Sequence, residues 1–437
     1  MSEPLAATKT SPRPGILVSW CLVPTLLLLG LVDSRQMPNG QFGPWTIFLL
    51  ASGLAATLGT AIVLFDGAWR RTSRGARIAL VAFTLLIVVA CASAFTHQQL
   101  AYDRLGNLGT VIVPHEYVVF PLLSALAACL LGWVFASGTG LPSLPQLVAA
   151  MGWSMLGVVV VALVRMGLRG TLGQRLTSAF AGAASLHLAL LFGLAGFLGL
   201  AISGYRPRLH LAGAAATLLA IVLTGSRTGV AMAALLVVAL VFRWRPPRYR
   251  TGLRIAAMAL TIGGILAVTM WLPQLNRLFS FTDHYRAQNY ATGLNAWTTD
   301  AVTMIFGNGQ GTVWPWAAYE QGLVPFRADW DLPTPWGPAL PSAHSTWIWA
   351  LVELGLVGLL VLLVAVAPTV WAGLRPGTPP LVQTLGLAVV LSLVAFATDT
   401  HLVKNFPVAV VWWFGAFVVL RLARNSRREA SPVSERK

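Results

Sequence analysis

Residues 342–366 read S-A-H-S-T-W-I-W-A-L-V-E-L-G-L-V-G-L-L-V-L-L-V-A-V. From Thr346 on, Glu353 is the only charged residue in a run long enough to cross a bilayer, which takes about 17–25 apolar residues. His344 stands at the outer boundary of that run. Upstream lies Pro273–Ala343, the one long hydrophilic segment in a chain that is otherwise almost all apolar.

The same pattern extends over the rest of the sequence. Of 437 residues, 56% are hydrophobic and only 10% charged, and mean hydropathy is +0.72. A soluble protein carries about 25% charged residues. Twelve apolar runs are long enough, or nearly so, to span: 16–32, 44–65, 77–95, 116–136, 147–164, 180–203, 209–223, 229–242, 253–272, 346–366, 381–397 and 406–420. The expectation is an all-α polytopic membrane protein of about 12 transmembrane helices with one long outer loop. Its parts are an N-terminal tail (1–15), nine spans (16–272), the loop (273–343), three spans (344–420) and a basic tail (421–437). The first run has no A-x-A-like cleavage site ahead of a soluble domain, so it reads as a retained helix.

Lysine and arginine set the orientation. With the N-terminus inside, 20 of the 30 basic residues fall on the cytoplasmic side and 10 outside, as the positive-inside rule requires. Both termini are then cytoplasmic. The formal charge of +16 reflects this bias and contact with anionic lipid, and no nucleic-acid-binding module accompanies it. Cys21, Cys91 and Cys129 each sit in an apolar run, which argues against a disulfide framework or a thiolate metal site. No internal repeat is evident, which weighs against a transporter of two similar halves.

The exceptions to the charge rule carry the chemistry. Arg165, Arg169 and Arg175 crowd one short outer loop, Arg227 sits in the turn T-G-S-R-T (224–228), and Arg286 lies in the long loop. An arginine near hydrocarbon is costly without a partner. Guanidinium binds phosphate oxygens bidentately and stays charged at any working pH. Two readings are open for the Arg165 loop, an anion site or snorkelling to lipid headgroups; for Arg227, held in a tight turn, the anion site is favoured. The run G-N-G-Q-G (307–311) lacks a following lysine and is a turn after a loop helix over about 287–305, not a nucleotide loop.

His344 has the position and near-neutral titration suited to a general base, although a lone interfacial histidine is also an ordinary solvated residue. No histidine pair has zinc-site spacing, and neither metal nor cofactor is expected. Glu353, nine residues on, falls on the opposite side of the helix about 13 Å deeper, which suits helix packing better than orienting His344. Trp297, Trp314, Trp316, Trp330 and Trp336 load the long loop. They read either as an interfacial belt or as faces for sugar rings.

The segments L-T-G-S-R-T-G (223–229) and H-S (344–345), followed by E-L-G-L-V-G (353–358), resemble the O-antigen ligase and polymerase superfamily of bacterial membrane glycosyltransferases over roughly residues 210–365. The resemblance implies a metal-independent, GT-C-like membrane-embedded transferase in the inner membrane, with its site facing the periplasm. It implies an undecaprenyl-pyrophosphate-linked glycan as donor. By position, Arg227 matches the family's serine–arginine turn, Arg286 its long-loop arginine and His344 its essential histidine; Arg165, Arg169 and Arg175 match its basic loop less specifically. One departure is Ser345, where many members have asparagine. The expected activity is O-antigen ligation to a hydroxyl of lipid A–core, with inversion. Its rivals are an O-antigen polymerase, a protein O-oligosaccharyltransferase and a transporter of lipid-linked sugar.

Overall fold

Lipid offers an open backbone no hydrogen bonds, so apolar runs of this length close into helices. The computed structural model describes residues 21–31, 44–97, 101–104, 107–112, 115–137, 144–171, 174–177, 183–243, 284–316 and 332–430. In chain order the first helices are α1 (Leu22–Leu31), α2 (Pro44–Phe65), α3 (Ala68–Arg71), α4 (Arg74–Thr96), α5 (His115–Ser137) and α6 (Leu144–Leu168). There follow α7 (Ala183–Ile202), α8 (Pro207–Leu223), α9 (Arg227–Arg243), α10 (His284–Trp297) and α11 (Ala301–Phe306). The C-terminal third holds α12 (Thr346–Leu374), α13 (Pro380–Ala395) and α14 (Phe406–Ala430).

Six helices are long and apolar enough to cross a membrane: α4, α6 and α12, with Tyr117–Ser137 of α5, Ser185–Ile202 of α7 and Phe406–Ser426 of α14. Ala51–Phe65 of α2, together with α8 and α13, forms a shorter apolar set. The expected run 253–272 lies outside the described residues, as do 273–283 and 317–331 of the long segment. Among the described residues, then, the structure is that of an all-α membrane protein with six such helices. Two small hairpins depart from the purely helical expectation. Strand β1 (Ala101–Arg104) pairs antiparallel with β2 (Asn107–Ile112), and β3 (Leu332–Thr334) with β4 (Gly337–Ala339).

Helix α14 sits at the centre. Trp412, Trp413 and Phe414 are fully buried, and the helix packs on α5, α7, α12 and α13. Large side chains such as Leu58, Val81, Val160 and Leu360 are instead exposed, as lipid-facing positions are. Between membrane helices packing does the work that water exclusion does elsewhere, and small residues allow close approach. Helices α12 and α13 cross at Gly373 and Gly386, where a Cβ on either would lie within 2.5 Å of the other's Cα.

Helix α12 is broken. Gly355 has φ 69° inside it, and the segment 307–309 fills the break. The Asn308 N–H donates to the Val352 carbonyl at 2.9 Å and the Gly309 N–H to the Glu353 carbonyl at 3.0 Å. A Cβ on Gly355 would come within 2.2 Å of the Ile305 carbonyl oxygen. Thus G-N-G-Q-G is indeed a turn after loop helices, and its glycines let backbone dock on backbone.

Candidate functional site

The turn at 224–229 is built by its own side chains. Thr224 Oγ1 donates to the Ile221 carbonyl at 2.6 Å, closing α8, and accepts the Ser226 N–H at 3.2 Å. Gly225 takes φ 60°, a left-handed conformation that costs other residues energy. Ser226 then caps α9, its Oγ accepting the Gly229 N–H at 3.2 Å. Arg227 is the first residue of α9 and half-buried. Gly229 lies flat against His187 of α7, where a Cβ would meet the histidine Cβ at 2.6 Å.

Arg175 braces this turn. Its Nε donates to the Thr224 carbonyl at 2.9 Å and its Nη2 to that of Gly225 at 3.4 Å, while the Leu176 N–H donates to the Leu223 carbonyl at 2.9 Å. Arg165 lies half-buried in the last turn of α6, and Arg169 follows it, exposed. The basic loop thus reaches the Arg227 turn through Arg175.

On the other side stands α10, which carries Arg286 and Tyr290 one turn apart on one face. Buried Asn289 latches this helix. Its Nδ2 donates to the Ser342 carbonyl at 2.9 Å, and its Oδ1 accepts the Trp314 indole N–H at 2.8 Å and the Leu340 N–H at 3.2 Å. The Tyr290 hydroxyl donates to the His344 carbonyl at 3.1 Å and also contacts the Ala397 carbonyl.

His344 has φ 48°, which only one other non-glycine residue, Arg206, approaches among those described. A left-handed residue without glycine's freedom costs about 1–2 kcal/mol. The conformation turns the chain sharply just before α12, whose cap is Ser345: its Oγ accepts the Ile348 N–H at 3.2 Å and donates to the Phe396 carbonyl at 3.2 Å. Serine and asparagine cap helices about equally well, so the departure at Ser345 leaves this job intact.

The segment after α13 closes the site. Thr346 Oγ1 donates to the Asp399 carbonyl at 3.0 Å and accepts the His401 N–H at 3.1 Å, and the Thr346 N–H donates to the Phe396 carbonyl at 2.7 Å. This brings Asp399 beside His344. Burial would raise the Asp399 carboxyl, but the positive fields of His401, His344 and Lys404 and the Thr400 N–H at 2.8 Å outweigh it and hold it below the usual carboxylate range. His401 is fully buried, its ring 6.2 Å from that of His187. Burial lowers its titration and nearby Arg286 lowers it further, against the opposing charge of Asp399. Lys404 lies 5.8 Å from the Trp316 ring centre.

The structure therefore links the Arg227 turn to His344 through His187, His401 and Asp399, with Arg286 at the same cluster. Asp399, His401 and Lys404 escape a reading of single spans. The available signal is an acid and two bases in one short gap between apolar runs, in a chain with only 14 acids. Among the described residues no group of three His, Cys, Asp or Glu side chains is arranged for a metal ion.

Glu353 lies apart from this cluster, fully buried at the break in α12. Its carboxyl faces the N–H groups of Gly311, Val313 and Trp314 and the Trp349 indole without meeting hydrogen-bond geometry. Its surroundings are the docked loop, in line with a packing role. Trp314, Trp316 and Trp349 are buried, and the indoles of Trp314 and Trp349 are spent on Asn289 and Gln310. Sugar stacking does not apply to Trp314 and Trp316; Trp330 lies outside the described residues.

Residues 212–363 match the family model described as O-Antigen ligase. No curated protein matches the chain. The matched stretch holds Arg227, Arg286, His344 and Glu353, and its limits fall within two residues of the resemblance expected over 210–365.

Proposed function

With residues 212–363 matching the O-antigen ligase family, whose activities are of the ligase and polymerase type, we propose that this protein is an O-antigen ligase. It transfers a glycan from undecaprenyl pyrophosphate to a hydroxyl of lipid A–core at the periplasmic face of the inner membrane. The observation that carries this reading is the grouping of His344, Asp399 and Arg286 at one end of α12, inside or beside the matched stretch.

In this mechanism the donor pyrophosphate docks on Arg227 and Arg286, with Arg165 or Arg169 extending the site and Arg175 both bracing the turn and adding charge. His344 takes the proton from the acceptor hydroxyl. That oxygen forms the new bond to the anomeric carbon as the bond to the pyrophosphate oxygen breaks, with inversion. Asp399 is a positioning residue: its negative charge favours the imidazolium that forms on His344. Arginine pairing meets the charge growing on the leaving phosphate, usually a large electrostatic contribution. The bond broken is already activated, so the reaction needs neither nucleotide nor metal. Segment 273–343 acts as a lid over the site, in a GT-C-like body of about 12 spans.

Purified protein with lipid-linked donor and lipid A–core should lose transfer in His344→Ala and Arg227→Ala; full activity in either sinks the assignment. A deletion strain should accumulate long chains on the carrier beside bare lipid A–core. Lipid A–core bearing a single repeat would instead identify a polymerase.

A further inference from the structure

A second basic site lies at the opposite end of the bundle from His344. Helix α4 runs from Arg74 to Thr96, about 33 Å at 1.5 Å per residue. Its far end packs beside the docked loop, where Ser93 Oγ accepts the Gln310 N–H at 3.1 Å. Helix α14 starts just after the Asp399 segment and reaches Arg421 about 22 Å further on. Where the near end of α4 meets the far end of α14, a small cleft of about 60 Å³ opens.

The lining of this cleft has the chemistry of a phosphate site. Arg71 and Arg421 face it, with the hydroxyls of Ser73 and Ser137, and no acidic side chain lines it. Ser73 is the N-cap of α4, so the positive end of a 23-residue helix also points there. Arg71 pairs with Asp66 at 3.3 Å but is 46% exposed, and Arg424 contacts the Arg71 carbonyl. Trp133 and Phe417 supply an apolar wall, and the Trp133 indole is anchored on Thr72 Oγ1 at 3.3 Å. Guanidinium groups above an aromatic wall at a membrane boundary fit a charged headgroup whose glycerol backbone continues into lipid.

We propose that this cleft binds the phosphate of an anionic membrane lipid in the leaflet opposite His344. The site is independent of the transfer chemistry and holds α3, α4, α5 and α14 together at that end. Each arginine near an anionic surface contributes about a fivefold gain in binding.

The test uses full-length protein in nanodiscs of phosphatidylcholine with or without phosphatidylglycerol, read by thermal melting and by native mass spectrometry of retained lipid. Wild type should retain phosphatidylglycerol preferentially and melt higher in its presence. Arg71→Gln, at a side chain exposed enough not to disturb packing, should weaken that preference about fivefold, and Arg71→Gln with Arg421→Gln should abolish it. Arg243→Gln, on another helix end, should leave it unchanged. An unaltered preference in the double variant overturns the proposal. Equal retention of phosphatidylcholine also overturns it, because the headgroup charge is then not read. Stabilisation by inorganic phosphate alone in phosphatidylcholine nanodiscs would assign the cleft to a soluble phosphate and refute the lipid.

Discussion

The two ends of the short segment 344–355 solve opposite problems. At its outer end, His344 lies beside Asp399, which also feels Lys404 and His401, with Arg286 close to His401; hydrogen bonds through Thr346 and Tyr290 hold the segment. At its inner end, Glu353 and Gly355 meet backbone from 307–311 in a tightly filled, fully buried contact. In sequence the two look like halves of one signature. In space, one gathers charged groups and the other fastens the loop to the helix. Proximity along the chain does not make a shared role.

Substitutions at the two ends should therefore fail in different ways. The largest effect is expected for Gly355→Ala, which needs φ 69° and collides with the Ile305 carbonyl. It should cost more than about 3 kcal/mol, seen as loss of folded protein in size-exclusion and melting assays. Normal folding with lost transfer would break the comparison, because the dock would then be part of the chemistry. Asp399→Asn keeps the shape and removes the charge beside His344. Transfer should fall on the order of 10²-fold with little change in donor KM, and a loss confined to KM would move Asp399 from positioning the base to binding the donor.

A smaller effect concerns His401. Because its folded pKa is depressed, the unfolded chain binds a proton that the folded protein refuses as pH falls below about 6.5, so stability declines there. His401→Phe should flatten the melting-temperature slope between about pH 6.5 and 5; an unchanged slope would show that another group causes it. Ser345→Asn should matter least, within about 0.5 kcal/mol by thermal melting, because either residue caps α12. A large loss would mean that the bond from Ser345 Oγ to the Phe396 carbonyl, not the cap, fixes His344.

Much of this was readable from local patterns. The helices at Arg74, Leu144 and Thr346 follow from apolar runs of membrane length, and the Arg227 turn and His344 stand out as polar groups at span ends. The family match adds the same limits. Asp399 was not readable, because it lies more than 50 residues after His344 and meets it only through the Thr346 contacts. Arg175 looked like an anion ligand since sequence shows its charge, whereas its bonds to the Thr224 and Gly225 carbonyls are tertiary. Several tryptophans looked available to sugars until folding placed Trp314 and Trp316 in the core. The helix break was equally hidden: L-G-L-V-G reads as smooth helix until the loop carbonyls and N–H groups are placed beside it.

That break also sets a depth. From Leu356 to Leu374, α12 is about 28 Å long, close to the roughly 30 Å of a hydrocarbon core. The residues before Gly355 are not needed for the crossing. On the proposed function, His344 then stands outside the hydrocarbon, on the side from which a carrier lipid would present its pyrophosphate.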